Sequence, residues 1–278
     1  MHNHFYTVHK TKLPKMNFND KVVWITGASS GIGEHLAYAF AHKGARLALS
    51  ARNKEALEKV KNNCPTPDNV LIVPLDVSIF SDAPAVAEKI IAHFGYISIL
   101  INNAGISQRA YVKDTLLEVD QRVMDVNYMG TVAVTKATLP SMIRQRFGQI
   151  VVISSVMGKI GTPLRSAYAA SKHALHGYFD CLRAEVVDDN IKVTIICPGY
   201  VKTNVAINAL KGDGSTNNAK SNANDNGLDP DKFAEKALRA IAKQKQEVTI
   251  GGKETITIYL KRFFPSFLNW LVTKIKVT

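Results

Sequence analysis

The chain has 278 residues, of which 46% are hydrophobic, so it can bury a sizeable core. Lysine and arginine number 35 against 23 aspartate and glutamate residues, which gives a formal net charge of +12 at pH 7. This surplus favours anionic partners, such as a cofactor phosphate or acidic lipids. Nucleic acid is not expected as a partner, because no basic motif is interleaved with aromatic residues.

The beginning of the chain and its cysteines indicate a protein that is not secreted. Residues 1–19 carry no apolar run long enough for a signal peptide and are predicted to form a disordered arm. The three cysteines, Cys64, Cys181 and Cys197, fit neither a disulfide framework nor a metal site. A reducing, cytoplasmic location is therefore expected, and no metal is expected.

A glycine-rich turn follows the first apolar run, 21–26, and precedes a helical pattern. Such a turn lets the backbone approach a phosphate, and the helix N-terminus offers free N–H groups. The spacing G-x-x-x-G-x-G differs from the general dinucleotide fingerprint, and an ordinary strand-to-helix turn is the alternative. The residues predicted to hold the cofactor here are Gly27, Ser29, Ser30, Gly31, Ile32 and Gly33.

The end of the second predicted strand, 46–50, indicates which nicotinamide cofactor is preferred. An acidic residue at this place would bind the ribose 2′-OH of NAD, but the chain has Ala51 followed by Arg52. A guanidinium can grip a 2′-phosphate with charge-assisted hydrogen bonds. NADP(H) is therefore preferred over NAD(H), with a solvent-facing Arg52 as the alternative.

Three residues form a candidate acid/base set. Tyr168 and Lys172 are four residues apart in a predicted helix over 166–186, so they share a face. A fixed charge beside a phenol favours the phenolate, and we expect Lys172 to lower the pKa of Tyr168. Ser155, at the end of an apolar run, could hold a carbonyl or alcohol oxygen beside the phenol, which allows general acid/base chemistry. Taken alone, the Tyr–Lys spacing also arises by chance.

Strand-like and helix-like segments alternate along the chain, as far as a late apolar run over 191–197. This alternation predicts an α/β protein: a single-domain Rossmann fold over 20–258, with a doubly wound parallel sheet and helices on both faces. Ligands of such sheets bind at the carboxyl ends of the strands. Gly27, Asn102, Ser155 and Pro198 all fall at such ends, so one cleft is expected.

The motifs together resemble the short-chain dehydrogenase/reductase family from about Asp20 to Thr203. The resemblance implies that Tyr168 is the catalytic acid/base, that Lys172 also binds the nicotinamide ribose, and that Ser155 orients the substrate oxygen. It implies that Asn127 holds a water that links Lys172 to solvent, although a helix asparagine satisfying local backbone is the alternative. The residues that carry it are the glycine pattern, Asn102-Asn-Ala-Gly105, Asn127, Ser155, Tyr168, Lys172 and Pro198-Gly199.

The same resemblance implies further cofactor contacts. Asp76 would contact the adenine, with a helix cap before Ser78 as the alternative, and Thr203 would meet the nicotinamide carboxamide. The remaining positions that the resemblance places against the cofactor are Val77, Asn103, Ala104, Gly105, Pro198, Gly199 and Val201, together with Tyr168 and Lys172.

The expected function is an NADP(H)-dependent oxidoreductase that moves hydride between the nicotinamide and a small-molecule carbonyl or secondary alcohol. By resemblance, a homodimer or homotetramer would pair through helices at about 121–146 and 166–186, and a substrate loop would span about 201–230. The closest branch is that of hydroxysteroid-dehydrogenase-like and membrane-associated reductases. The alternatives are an NAD(H)-dependent alcohol dehydrogenase of the same family, a non-catalytic nucleotide-binding module, or a membrane-surface protein.

Residues 259–278 form a separate basic and amphipathic segment. It is too short to span a bilayer, which needs about 20 apolar residues. It could instead lie in a membrane interface as a peripheral contact, or pack onto the substrate pocket or a sister subunit, and either arrangement favours lipophilic substrates. The predicted apolar face consists of Phe267, Leu268, Leu271, Val272 and Ile275.

Overall fold

The computed structural model describes residues 16–218 and 226–274. Its seven strands are β1 (Val22–Thr26), β2 (Arg46–Ser50), β3 (Val70–Ile72), β4 (Ile99–Asn102), β5 (Gly148–Ile153), β6 (Ile191–Pro198) and β7 (Glu247–Ile250). The α-helices of the described residues are α1 (Gly31–Ala41), α2 (Lys54–Asn62), α3 (Ala83–Phe94), α4 (Leu117–Met124), α5 (Gly130–Gln145), α6 (Ser166–Glu185), α7 (Pro230–Ala242), α8 (Ile256–Phe263) and α9 (Pro265–Lys274).

The strands form one sheet in the order β3-β2-β1-β4-β5-β6-β7, and every neighbouring pair is parallel. The chain first builds outward from β1 to β3, and then crosses to the other side of β1 to build β4 to β7. The carboxyl ends of all the strands therefore lie along one edge of the sheet. The direction in which strands are added reverses between β1 and β4, and ligands of such sheets bind at this point. The predicted doubly wound Rossmann fold is confirmed.

The inner strands of the sheet are buried on both faces, which explains why they are largely apolar runs rather than alternating ones. Val23 and Ile25 of β1 belong to the core on one face, where they are packed together with Leu36 and Phe40 of α1. Trp24, between them in the chain, belongs to the core on the opposite face. Successive side chains of a strand point to opposite faces, so one apolar run fills both layers.

The start of the described chain is ordered, in contrast to the predicted arm. The backbone N–H of Met16 donates to the Ala242 carbonyl at 3.0 Å. Phe18 is 6% exposed and packs edge-on against Phe40, with ring centroids 5.0 Å apart. The prediction of disorder over 1–19 is therefore wrong for residues 16–19, because Phe18 contributes to the core; residues 1–15 lie outside the described range.

The two C-terminal helices, α8 and α9, cover one end of the domain. Leu268 is 1% exposed and packs with Val156 and Met157, and Leu271 and Val272 join the same cluster. The buried stripe is therefore narrow, with spacings of three and four residues.

Phe267, which the sequence assigns to the same apolar face, lies outside the buried stripe. It sits at the edge of the stripe, is 50% exposed and stacks on Trp270. Ile275 lies outside the described residues. Over the described ranges, no helix combines the length and the hydropathy that crossing a bilayer requires.

Candidate active site

The glycine-rich turn after β1 is shaped by close backbone approaches. Gly27 has a φ of +63°, and a Cβ there would lie 2.7 Å from the Ala104 Cα; a Cβ at Gly33 would overlap the carbonyl oxygen of Gly27. The side-chain amide of Asn103 donates to the carbonyls of Thr26 and Gly27, each at 3.0 Å. The turn is thus fastened to the end of β4, and side chains at Gly27 and Gly33 would force it apart.

Within the described residues, the N-terminus of α1 is not capped by a side chain. Ser30 is its N-cap and is extended, but its hydroxyl accepts no cap hydrogen bond. Gly31 has a φ of +59°, and a Cβ there would lie 3.2 Å from the Thr203 Cγ2, so the turn faces the segment after β6. Ser29 and Ile32 are half-buried beside it. The N-terminus of this 11-residue helix therefore offers free backbone N–H groups, which no side chain of the described residues caps. Such a terminus fits the phosphates of a dinucleotide.

Arg52 and Asp76 lie close together beyond the ends of β2 and β3. Burial opposes ionisation of Asp76, but hydrogen bonds from the Ser78 hydroxyl (2.6 Å) and N–H (2.9 Å) and the charges of Arg52 and Arg122 hold its pKa below the ordinary value. Asp76 therefore makes the local turn that the helix-cap alternative required, while remaining near the exposed Arg52. Both groups stand where the adenosine end of a dinucleotide would lie in this fold.

Val77 and the end of β4 support the middle of the site. Val77 is buried, and its carbonyl oxygen lies against Gly130, where a Cβ would approach it to 2.6 Å. The Asn102 amide donates to the Thr135 hydroxyl at 2.9 Å, and the Thr26 hydroxyl accepts from the Ala104 N–H at 3.1 Å. These buried polar contacts fix the loop that follows β4.

Asn127 lies in a π-helical turn, Asp125–Met129, inserted between α4 and α5. Its amide oxygen accepts from the Ile106 N–H at 2.8 Å, and its amide nitrogen donates to the Ile106 carbonyl at 2.9 Å and the Ser171 hydroxyl at 3.0 Å. A Cβ at Gly105 would lie 3.1 Å from the Asn127 Oδ1 and 3.5 Å from the Lys172 Nζ. Asn127 and Lys172 thus converge on Gly105. The sequence predicted one helix here and missed the π turn, which is a common feature of functional sites.

The structure brings together the three residues of the predicted acid/base set: Ser155, Tyr168 and Lys172. Ser155 follows β5 and accepts from the Met157 N–H at 3.1 Å, while Tyr168 and Lys172 lie on successive turns of α6. The Lys172 Nζ donates to the Ile153 carbonyl at 2.8 Å and lies 5.8 Å from the centre of the Tyr168 ring. One serine hydroxyl, one phenol and one ammonium therefore lie together beyond the end of β5.

The pKa of Tyr168 differs from the expectation, and the pKa of Lys172 is shifted as well. Burial raises the pKa of Tyr168 above its ordinary value, against the hydrogen bond of Ser155 and the charge of Arg165, which lower it. Burial also lowers the pKa of Lys172 to about 8. The pKa of Tyr168 is therefore raised overall rather than lowered as expected, because desolvation of the phenolate outweighs the hydrogen bond of Ser155 and the charge of Arg165.

The segment after β6 carries a contact that the sequence did not indicate. The Glu254 carboxylate accepts from the backbone N–H groups of Tyr200 and Gly252, each at 2.9 Å. A Cβ at Gly199 would overlap this carboxylate, so a larger residue there would displace the Glu254 side chain. Glu254 lies 55 positions beyond Gly199 in the numbering, and no motif links the two. Its hydrogen bond with the Tyr200 N–H holds the backbone that leads to Val201 and Thr203.

A second polar cluster lies behind the catalytic trio. The His176 Nε2 lies 3.0 Å from the Ser154 hydroxyl, and its Nδ1 lies 3.3 Å from a Glu247 carboxylate oxygen. The contact with His176 and then the hydrogen bond and charge of Lys159 lower the pKa of Glu247 to about 2, although burial opposes this. The cluster ties α6 to the ends of β5 and β7, and so holds the strand end that presents Ser155.

The comparisons with known proteins agree on one family. Residues 21–213 match the family model described as short chain dehydrogenase. Dehydrogenase/reductase SDR family member 7B of Xenopus tropicalis is 43% identical over 269 residues, covering 92% of this chain and 86% of its own. An alcohol dehydrogenase of Thermococcus sibiricus complexed with 5-hydroxy-NADP matches with a TM-score of 0.70 and 27% identity, over 85% of this chain and 98% of its own. A Burkholderia phymatum short chain dehydrogenase/reductase in complex with NAD shares the fold, with a TM-score of 0.79 and 24% identity over 95% of this chain and 98% of its own.

Proposed function

Because this chain belongs to the short-chain dehydrogenase/reductase family and is therefore an oxidoreductase, we propose that it uses NADP(H) to interconvert a lipophilic carbonyl compound and its secondary alcohol. The observation that carries the proposal is the convergence of Asn127 and Lys172 on Gly105, one helical turn from Tyr168. These three groups, with Ser155, supply every proton-handling side chain that the reaction needs.

The proton is handled by Tyr168. In the direction of reduction its phenol donates a proton to the carbonyl oxygen as the C–H bond forms, and in oxidation the phenolate accepts the alcohol proton. A raised pKa keeps the phenol protonated at neutral pH, which suits the acid of a reduction. The Ser155 hydroxyl, beside the phenol, orients the substrate oxygen.

Lys172 and Asn127 are the residues through which Tyr168 regains its proton. The Lys172 Nζ is within 2.8 Å of the Ile153 carbonyl, and Asn127 is locked to Ile106 by two hydrogen bonds. With a pKa of about 8, Lys172 can gain and lose a proton near neutral pH and so return a proton to Tyr168. When bound, the nicotinamide supplies the hydride that reduces the carbonyl carbon.

Arg52 carries the preference for NADP(H) over NAD(H). It follows β2, next to Asp76, at the adenosine end of the cleft, and it stands where an NAD-binding enzyme would have an acid. The bound cofactors of the two structural neighbours are of both kinds, so they do not decide between NADP and NAD. The Arg52 guanidinium supports the proposal of NADP(H), because a 2′-phosphate offers it two charge-assisted hydrogen bonds.

The purified protein should therefore bind NADPH more tightly than NADH, as measured by titration of nicotinamide fluorescence. Arg52→Ala should weaken NADPH by about 10- to 100-fold, which is the loss of one charge-assisted contact, and change NADH by less than about twofold. Lys59→Ala, an exposed cation at the far end of α2, is the matched control and should change neither. Equal losses for both cofactors would refute the phosphate role while leaving the catalytic residues in place.

A peripheral contact with membranes is a second part of the proposal, favoured by the outer face of the C-terminal helices. This face is basic as well as aromatic, which suits the interface of an anionic bilayer. Its aromatic side chains are 50–66% exposed: Tyr259, Phe263, Phe264, Phe267 and Trp270. The cations on the same two helices are Lys261, Arg262 and Lys274.

Vesicle co-sedimentation tests this contact. The protein should sediment with phosphatidylserine-containing vesicles and less with pure phosphatidylcholine, and salt should weaken the binding. Replacing both Phe264 and Trp270 by serine should lower the partition coefficient by about tenfold or more, because two aromatic side chains lose their burial. Ile79→Ser, at an equally exposed apolar position elsewhere, is the control. Unchanged sedimentation of the double variant would exclude this face.

A further inference from the structure

The first turn of α6, which carries Tyr168, is entered through an unfavourable backbone conformation. Leu164, two residues before the helix, has a φ of +69°, a left-handed value that costs a non-glycine residue free energy. Arg165 is the N-cap, and within the described residues its side chain makes no cap hydrogen bond. The Ala110 N–H donates to the Leu164 carbonyl at 3.1 Å. The chain leading into α6 is therefore held by contacts from the loop after β4.

Gln108, in the same loop, caps the helix in place of Arg165. It is 0% exposed, and its side-chain oxygen accepts from the Ala167 N–H at 3.1 Å. That N–H lies in the first turn of α6, where no helical carbonyl can accept from it. Tyr168 is the next residue. The cap is therefore one residue away from the phenol that we propose as the acid/base.

The other end of the Gln108 amide is held by Thr115. The Thr115 hydroxyl donates its one proton to the Tyr111 carbonyl at 2.8 Å, so it can only accept from a further neighbour. The Gln108 Nε2 donates to it at 2.9 Å. The position thus needs an acceptor toward Ala167 and a donor toward Thr115. A carboxylate of the same length lacks the donor, and an asparagine is one methylene shorter.

The backbone of Gln108 is fixed on both sides by the segment after β6. The Leu210 N–H donates to the Ser107 carbonyl at 2.8 Å, and the Arg109 N–H donates to the Leu210 carbonyl at 2.7 Å. Leu210 is 6% exposed and belongs to one apolar cluster with Ala167. The glutamine therefore caps α6 from a backbone that is itself anchored.

The place of this turn matters because the phenol and its neighbour come from different elements. Ser155 follows β5, whereas Tyr168 lies on α6, and the two side chains share a hydrogen bond. Their hydroxyls meet a substrate oxygen together only if α6 keeps its position relative to β5. A misplacement of about 1 Å in such a group can cost about 100-fold in rate.

We propose that Gln108 is a positioning residue of the active site: its amide fixes the first turn of α6 and so places the Tyr168 hydroxyl beside Ser155. This inference rests on the proposed function, since it concerns the group that would pass the proton to the substrate. Because Gln108 is fully buried, its effect passes through the backbone of α6 and not through contact with the substrate.

Kinetics with NADPH and 2-undecanone test the role. Gln108→Met keeps the length of the side chain and removes both hydrogen bonds, so it should lower kcat by about 10- to 100-fold. The Kd for NADPH should stay within about twofold. Gln108→Glu should also lower kcat, because it sets a carboxylate oxygen against the Thr115 hydroxyl. Thr115→Ser should retain the activity, whereas Thr115→Val should repeat part of the loss.

Gln149→Met is the matched control. Gln149 lies at the start of β5, is also 0% exposed, and donates to the Thr194 hydroxyl at 2.9 Å. Its replacement should lower the urea midpoint, as Gln108→Met does, and yet leave kcat within about twofold. Equal losses of kcat in the two methionine variants would show that Gln108 acts only through general stability, and this would overturn the proposal.

A double-mutant cycle with Tyr168→Phe adds a readout that a merely structural role would not move. In the Tyr168→Phe protein, Gln108→Met should lower the residual kcat by less than about twofold, because the hydroxyl that Gln108 positions is already gone. A further loss of about tenfold in that background would contradict the assignment.

NMR of protein labelled with [13Cζ]tyrosine separates this proposal from that of carbonyl reduction. The Tyr168 resonance, identified by its absence from Tyr168→Phe, should shift or broaden in Gln108→Met and stay in place in Gln149→Met. If no ketone is reduced but the resonance responds in this way, the positioning role stands and the carbonyl-reduction proposal fails. If ketones are reduced and neither kcat nor the resonance responds to Gln108→Met, the positioning role fails alone.

Discussion

Tyr168→Phe should lower kcat for ketone reduction by about 100- to 10,000-fold, the range that one positioned acid/base group contributes. The change removes only the hydroxyl, so the ring keeps its packing in the cluster with Met157 and Leu268. NADPH affinity should stay within about twofold. Steady-state kinetics with NADPH and a lipophilic ketone, together with fluorescence titration of the cofactor, measure the two quantities separately.

Tyr178→Phe is the matched control for this variant, because it removes the hydroxyl of another half-buried tyrosine of α6 that packs against Tyr128 and Phe179. It should leave kcat within about twofold, since surface and peripheral changes rarely alter a site they do not touch. Turnover that persists in Tyr168→Phe would remove the phenol from the mechanism. Loss of NADPH binding in the same variant would mean that the cleft itself had been damaged.

The fold was predictable because its signals are local. Most of the parallel strands, β1, β2, β4, β5 and β6, are largely apolar runs with both faces buried, and helical patterns follow them, so their alternation predicts the sheet. The glycine turn was predictable for a similar reason: the positive φ of Gly27 and the crowding at Gly33 both exclude a side chain. The spacing of Tyr168 and Lys172 fixes their common face once α6 is known.

Other features depend on contacts that no local pattern contains. The π turn at Asn127 is held by Ile106, 21 positions away, and Glu254 reaches back to Tyr200 across 54 positions. Whether the pKa of Tyr168 rises or falls depends on the balance between burial and neighbouring charge. The spacing of residues along a helix does not reveal that balance.

Burial of Lys172 makes a prediction that does not depend on the substrate. Lys172 is 4% exposed, and its pKa falls from the ordinary 10.5 to about 8. Between these values the unfolded chain binds more protons than the folded one, so the free energy of unfolding rises with pH. Relative to Lys172→Met, the unliganded wild type should gain up to about 3 kcal/mol as pH increases from 8 to 10.5.

Urea unfolding of the wild type and of Lys172→Met at pH 7, 8, 9 and 10 measures this difference. Taking the difference matters because the buried thiols of Cys64 and Cys197, with pKa values of about 11 and 12, also titrate at the alkaline end in both proteins. Lys136→Met, an exposed lysine of α5, should follow the wild type at every pH. The same Lys172→Met protein should lose at least about 100-fold in kcat, because Tyr168 then has no ammonium to return its proton. Parallel stability curves for wild type and Lys172→Met would show that Lys172 is not desolvated, and the role in proton return would lose its physical basis.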